Sequence, residues 1–519
     1  MLLAALLSAG AIWFVLDRSY ILYYGDAQAH VNTARRIVDS RTPGFDQLGT
    51  VWLPLPHLLM LPLVARDDLW RNGLAGSIPS GVFFVVGVAL LFAAVRRTLG
   101  SASAGAATAA AFALNPNVLY LQSIPMTESI FFGCLAGVLY FSVLFGESQS
   151  LWSVAAAGVA AAAATLTRYD GWFLLPFAAL YFLFAAKRRR LVAALLFSIV
   201  AVLGPAAWLA HNWYYSGDAL DFFRGPYSAK AIQGVARYPG WGDWRLAWDH
   251  FRAAAWLCAG TPLVWIGCAG VAGAILKKSF WPVLLLAMPP AFYVWNLHSG
   301  DSPIYAPHLK PFSYYNTRYG TALLPLLALG VGGLVAWIPS RWRAAGAALA
   351  VLAVVAPWLL NPAPEEWITW KESQVNSGAR RAWTAEGARF LQENYRPGSG
   401  IFTTFGDVTG IYAAAGIPLR ETLTWDNWPH WPSAVARPEL FLREEWAVAI
   451  AGDKVQTTAT RSTILAIRRA PGAGAMRYRL VRLIAVKGAP VVEIYKGQLE
   501  GTRILENANS VYEGPRGAQ

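Results

Sequence analysis

The feature that most constrains this chain is a series of apolar runs of membrane length along its first ~360 residues, separated by short basic clusters. The runs lie near 2–17, 74–95, 102–121, 129–145, 150–166, 172–186, 191–209, 254–276, 281–297, 318–338 and 344–360. A crossing of the ~30 Å hydrocarbon core takes ~20 residues of helix. In lipid every backbone polar group must bond internally, so such runs can only be helices. Hydrophobic residues make up 56% of the chain and charged residues 14%, against about 45–50% and about 25% in soluble domains. That balance excludes a soluble monomer and a disordered chain. The load of 24 Trp, 21 Tyr and 25 Phe suits many helix ends at two membrane interfaces. No Lys or Arg precedes the first apolar run, so residues 1–17 read as a retained helix rather than a signal peptide.

Four basic clusters set an expected orientation: Arg96-Arg97, Lys187-Arg188-Arg189-Arg190, Lys277-Lys278, and Arg341 with Arg343. The positive-inside rule places all four in the cytoplasm. About eleven spans then give a cytoplasmic N-terminus and an extracytoplasmic C-terminal segment. Residues 51–64 would upset this parity if they crossed. They hold only 14 residues with three prolines, about 21 Å of helix, and Pro donates no backbone hydrogen bond. They read as a re-entrant or interfacial segment on the outer side. The outer parts are then 18–73, short loops near 122–128 and 167–171, 210–253, 298–317 and 361–519. The net charge of +13 is split among short clusters between apolar runs. Anionic lipid and topology explain that pattern better than nucleic acid.

Beyond residue 360 charges of both signs appear and apolar runs shorten to strand length. Ile401–Thr404, Ser462–Ile467 and Val491–Tyr495 read as strands, with a helical stretch at 381–394. The expectation is a membrane domain over 1–360 and a soluble α/β or α+β domain over 361–519, long enough for its own core. Cys134, Cys258 and Cys268 form neither a zinc spacing nor a disulfide framework.

Residues able to do chemistry gather in the outer loops. Asp26, in Tyr23-Tyr24-Gly25-Asp26-Ala27, lies just beyond the first run, where the pattern turns helical. It reads as a helix cap, as a general base beside an apolar surface, or as both. Glu128 opens a span after Pro125-Met126-Thr127, either complementing a helix dipole or acting as a second acid. In Thr167-Arg168-Tyr169-Asp170, Arg168 and Asp170 either pair together or leave the guanidinium for an anionic substrate. His211 and Asn212 follow the seventh run and read equally as a structural histidine and a cap. Arg318 opens a late span beside Tyr319; it either snorkels to headgroups or binds a lipid phosphate while the rings line an apolar tail. There is no Walker A pattern, no G-x-G-x-x-G after a strand and no D-x-D pair. Group transfer on the outer face would therefore need an activated group on a membrane carrier such as a polyprenyl phosphate. One or two arginines can stabilise a single phosphate leaving group without a metal.

Several of these parts, in this order, resemble the GT-C superfamily of integral-membrane glycosyltransferases, in the branch of protein O-mannosyltransferases and lipid A aminoarabinose transferases. They are Gly25-Asp26-Ala27, the Pro-rich stretch Trp52–Leu61, Thr127-Glu128, Thr167–Trp172, Asn212-Trp213 and Arg318-Tyr319. The likeness covers about residues 1–340 and departs at Gly-Asp-Ala, which lacks an adjoining Glu. It implies a polytopic α-helical GT-C fold and an inverting sugar transfer from a polyprenyl-phosphate donor to an acceptor hydroxyl outside the cytoplasm of an inner or plasma membrane. Asp26 would be the base and Glu128 the second acid. Arg318 and Arg168 would hold the donor phosphate, and His57 would lie in the segment lining the donor cavity. Asp170, His211, Asn212 and Tyr319 complete the expected substrate-binding set. The expected partners are the lipid-linked donor, membrane lipids and a glycan, lipid or protein acceptor, with no nucleic acid. The residues mark no particular cofactor and leave metal dependence open, since Asp26 and Glu128 could share a divalent ion. A transporter or flippase with an outer binding domain is the alternative. It predicts ionisable residues near mid-bilayer and matched halves, whereas here the charges sit at outer helix ends and no halves match.

Overall fold

The computed structural model of the chain describes residues 1–234, 237–300, 302–404, 406–468 and 476–499. Two compact units emerge, Met1–Arg381 and a second from Ala382 onward. Residues 361–381, grouped by composition with the outer domain, pack into the first unit.

The first unit is helical. Among the described residues, six helices are long and apolar enough to cross a membrane: Leu74–Leu99, Glu128–Ser148, Arg190–Ser216, Phe280–Ser299, Thr317–Val335 and Ser340–Leu360. Shorter apolar helices occupy Leu2–Asp17, Leu55–Val64, Ala102–Ala113, Leu151–Thr165 and Asp170–Ala185. Every expected run is thus helical, but a count of eleven crossings does not follow, because several helices fall short of the core thickness.

Two runs are broken. The expected span 254–276 consists of Trp244–Ala259 and Thr261–Leu276, bent by 107°. Gly260 takes φ +78 between them and Pro262 follows, so the helical bonding ladder is interrupted on both sides. The part before the bend buries Ala247, His250, Phe251, Ala254 and Ala255 and leaves Trp244, Trp248 and Arg252 exposed. This is the pattern of an amphipathic surface helix. The expected span 102–121 is also interrupted. Asn115 caps a second short helix, Pro116–Gln122, by accepting from the N–H of Asn117 at 3.0 Å. The Pro-rich stretch forms a ten-residue helix, Leu55–Val64, about 15 Å long and too short to cross.

Small residues set the helix spacing. In Thr261–Leu276, Gly267 and Gly270 face Gly330 of Leu324–Val335, and a Cβ on Gly270 or Gly330 would overlap backbone of the other helix. Without a hydrophobic force between helices in lipid, such close backbone approach is what packing relies on. Phe84, Leu91, Phe131, Leu139, Phe182, Phe197, Leu285 and Val331 belong to the buried core of this unit.

The second unit carries a five-stranded sheet: β1 (Ile401–Thr403), β2 (Thr422–Leu423), β3 (Trp446–Ile450), β4 (Met476–Ile484) and β5 (Val492–Leu499), in the order β2-β1-β3-β5-β4. β1 runs parallel to β2 and β3, whereas β5 is antiparallel to β3 and β4. Ile401–Thr404 and Val491–Tyr495 fall on β1 and β5. Ser462–Ile467 does not form a strand; it lies within the helix Lys454–Arg468. The buried residues Val455, Thr458, Ala459, Ser462 and Ala466 recur every three to four positions, a helical period that a six-residue window conceals. Residues 500–519 of the expected outer domain lie outside the described residues.

Candidate active site

Three carboxylates of the first unit stand in the first turns of three different helices. Asp26 is in Gly25–Arg36, Glu128 in Glu128–Ser148 and Asp170 in Asp170–Ala185. The partial positive charge of a helix N-terminus favours an acid in each place. Asp26 is not the cap of its helix. That position belongs to Tyr24, so the Asp26 side chain is left to the space in front of the helix.

Two arginines tie the acids together. Arg318, in the 3-10 helix Thr317–Leu323, sets Nη2 at 2.6 Å from Asp26 Oδ2, Nε at 3.2 Å from Glu128 Oε1 and Nη1 at 3.5 Å from Glu372 Oε1. Its guanidinium lies 5.2 Å from the Tyr24 ring centre and 5.1 Å from that of Tyr319. Arg168 donates to Thr127 Oγ1 at 2.6 Å and to Glu128 Oε1 at 3.0 Å. It also donates to the Tyr293 hydroxyl, and its Nε is 3.4 Å from Asp170 Oδ1. Glu128 Oε1 is thus shared by both guanidinium groups. Tyr293 bridges Arg168 to Asp170 Oδ2, 3.3 Å away.

These groups surround a cavity of about 220 Å³. Asp26, Glu128, Arg168, Asp170, Arg318 and Tyr319 line it. His30, Trp52, Tyr293 and Asn296 complete much of the remaining wall. Three expected residues do not line it. His57 is fully buried behind His30, Nε2 to Nδ1 at 2.8 Å. His211 bonds the carbonyl of Gly49 at 2.9 Å and stacks on Trp208. Asn212 is buried and donates to the carbonyl of Trp208 at 2.9 Å. The latter two anchor a helix end.

Charge is distributed unevenly. Burial foremost, then the neighbouring Arg318 and Arg168, holds His30 down at about 3, so it is neutral near pH 7. Burial pushes the Glu372 carboxyl above the ordinary carboxylate range, against the pull of Arg318 and the hydrogen bonds from Thr317 and Asn316. Among the described residues no group of three or more His, Cys, Asp or Glu is arranged to hold a metal ion.

Glu372, Tyr293 and His30 were not singled out by sequence. Tyr293 sits inside an apolar run and looks like any interfacial tyrosine. Glu372 sits in the mixed-charge stretch Trp370-Lys371-Glu372-Ser373. His30 is one helical turn from Asp26, and that i, i+4 spacing was the available signal.

Residues 70–214 match the model of the dolichyl-phosphate-mannose-protein mannosyltransferase family. A search of curated proteins gives no significant match. Among solved structures, the chain resembles ArnT from Cupriavidus metallidurans bound to undecaprenyl phosphate, with 14% identity and a TM-score of 0.53, over 93% of this chain and 97% of that one. It also resembles the Archaeoglobus fulgidus oligosaccharyltransferase in its apo form, with 13% identity and a TM-score of 0.50, over 86% of this chain and 69% of that one. With its helical membrane part and small C-terminal sheet domain, the chain has the GT-C fold of the integral-membrane glycosyltransferases.

Proposed function

We propose that the protein is a glycosyltransferase that moves a sugar from a polyprenyl-phosphate donor to an acceptor hydroxyl, with Asp26 as the general base. The observation that carries this reading is a contrast in accessibility around one cavity. The Asp26 side chain is 42% exposed, against 4% for Glu128 and 2% for Asp170 and for Glu372. Only Asp26 of these four acids is open to an incoming hydroxyl. The other three are buried against arginines and serve to orient them.

In this mechanism the acceptor hydroxyl gives its proton to Asp26 as its oxygen attacks the anomeric carbon. The phosphate leaves from the opposite side, which inverts the configuration. Arg318 and Arg168 stabilise the charge growing on that phosphate, and the Tyr319 ring centre lies 5.1 Å from the Arg318 guanidinium and 5.4 Å from that of Arg168. The likeness to ArnT bound to undecaprenyl phosphate and to the dolichyl-phosphate-mannose family supports a lipid-phosphate donor.

The test is transfer from a synthetic polyprenyl-phosphate sugar by purified protein. Asp26→Asn is expected to lower kcat at least ~10²-fold while the protein elutes and melts as the parent does. Turnover by Asp26→Asn near that of the parent would remove Asp26 as the base.

A further inference from the structure

The segment after the last apolar helix makes contacts that the proposed reaction does not use. The early part of the helix Ile368–Asn394 bonds to the chain segments on which both Asp26 and Arg318 are mounted. At one end, Glu372 accepts from the backbone N–H of Asn316 at 3.1 Å and of Thr317 at 2.6 Å, and from Thr317 Oγ1 at 2.5 Å. These are the first donors of the 3-10 helix that carries Arg318 and Tyr319. Glu372 thereby caps that helix from a distant part of the chain, and it pairs with Arg318 as well. Asn376 adds a bond to the carbonyl of Tyr314 at 2.8 Å.

Two turns further along, Arg380 reaches the strip just before Asp26. It donates to the carbonyls of Leu22 at 3.2 Å and Tyr23, and to Gln28 Oε1 at 2.9 Å. One turn before Glu372, the carbonyl of Thr369 accepts from the Tyr24 hydroxyl at 2.8 Å. Trp370 is buried against the ring of Tyr20, 5.1 Å away. Asp26 and Arg318 are 292 positions apart in sequence, and one short helix face holds the backbone beneath each.

We infer that residues 369–380 act as a strap in which Glu372 and Arg380 are positioning residues, setting the Asp26–Arg318 pair without touching substrate. This rests on the transferase reading only for its effect on turnover. The geometric claim stands on the bonds above. A planar guanidinium can meet several carbonyls at once, whereas an ammonium acts as a single point charge. Lys at 380 therefore cannot replace Arg. Gln at 372 retains one acceptor oxygen for the Thr317 N–H but loses the charge facing Arg318.

The test uses the full chain in detergent and two measurements. Amide hydrogen exchange is expected to quicken at 314–323 in Glu372→Ala and at 22–28 in Arg380→Ala, with the core helix Leu74–Leu99 still protected. Turnover is expected to fall 10- to 100-fold in both variants, as misplacement by about an ångström does. Glu372→Gln should recover part of it, and Arg380→Lys little. Unchanged exchange at 314–323 in Glu372→Ala, or at 22–28 in Arg380→Ala, would overturn the strap. If the parent protein transfers no sugar from a lipid-phosphate donor, the transferase reading fails, and the exchange data still decide the strap.

Discussion

Arg318 faces Asp26, Glu128 and Glu372 at once, and its side chain is only 9% exposed. One cation among three acids is stable only because its donors point in three fixed directions. Lys has no such fork, so Arg318→Lys is expected to behave almost as badly as Arg318→Ala. Either change loses the fork that faces Asp26, Glu128 and Glu372, while Glu128 keeps Arg168 and Glu372 keeps the Asn316 and Thr317 donors, so the cost is about 1–3 kcal/mol. A large drop in melting temperature for both variants, together with a raised donor KM or lowered kcat, would bear this out. A Lys variant with the parent's stability and kinetics would show that charge alone suffices. Asp26, Glu128, Arg168 and Arg318 were legible in sequence because each is a charge at the end of an apolar run, where placing it carries a cost. Their shared contacts were not legible. Nothing in Thr127-Glu128 says that one oxygen of Glu128 serves two arginines from other loops.

At the scale of elements, the apolar runs fixed which segments become helices, and local chemistry fixed where two of them break. Gly260 and Pro262 turn one expected span into a surface helix and a short apolar one. The meaning of Gly267, Gly270 and Gly330 emerges only in the pair of helices that cross there. Gly270→Val is expected to destabilise the protein by about 1–3 kcal/mol, as overpacking of a tight contact does. Gly10→Val supplies the control, because nothing lies within 4 Å of a Cβ at that position. Thermal unfolding of both variants in detergent checks the contrast, and equal melting temperatures would refute it. The strand expected at 462–467 failed for a related reason. Its β-branched residues satisfy a short strand pattern, while the helical period shows only when Val455 and Ala459 are included.

At the scale of the whole molecule, the site's charges bear on stability as pH changes. His30 binds a proton less readily in the folded protein, near 3, than an unfolded His near 6.5. Its contribution to stability is therefore present above about pH 6.5 and is lost as pH falls toward 3. The steepest loss is about 1.4 kcal/mol per pH unit for one proton. The expected result is a melting temperature that falls between pH 7 and pH 5, with a shallower fall in His30→Asn. Parallel curves for the two proteins would show that His30 is not the group responsible.

The sequence by itself determined the class of molecule. Long apolar runs in a chain poor in charge must be helices in lipid, because only a helix satisfies its own backbone there. The few ionisable residues at their ends marked most of the charges that line one cavity. The tertiary structure alone decided which of those residues meet. Asp26 and Arg318 stand 2.6 Å apart although 292 positions separate them. Glu372 and Arg380, from a segment with no distinguishing pattern, hold both in place. Local propensity and hydropathy act over a few helical turns. A pair so distant in sequence is brought together only by the packing of the helices that carry it.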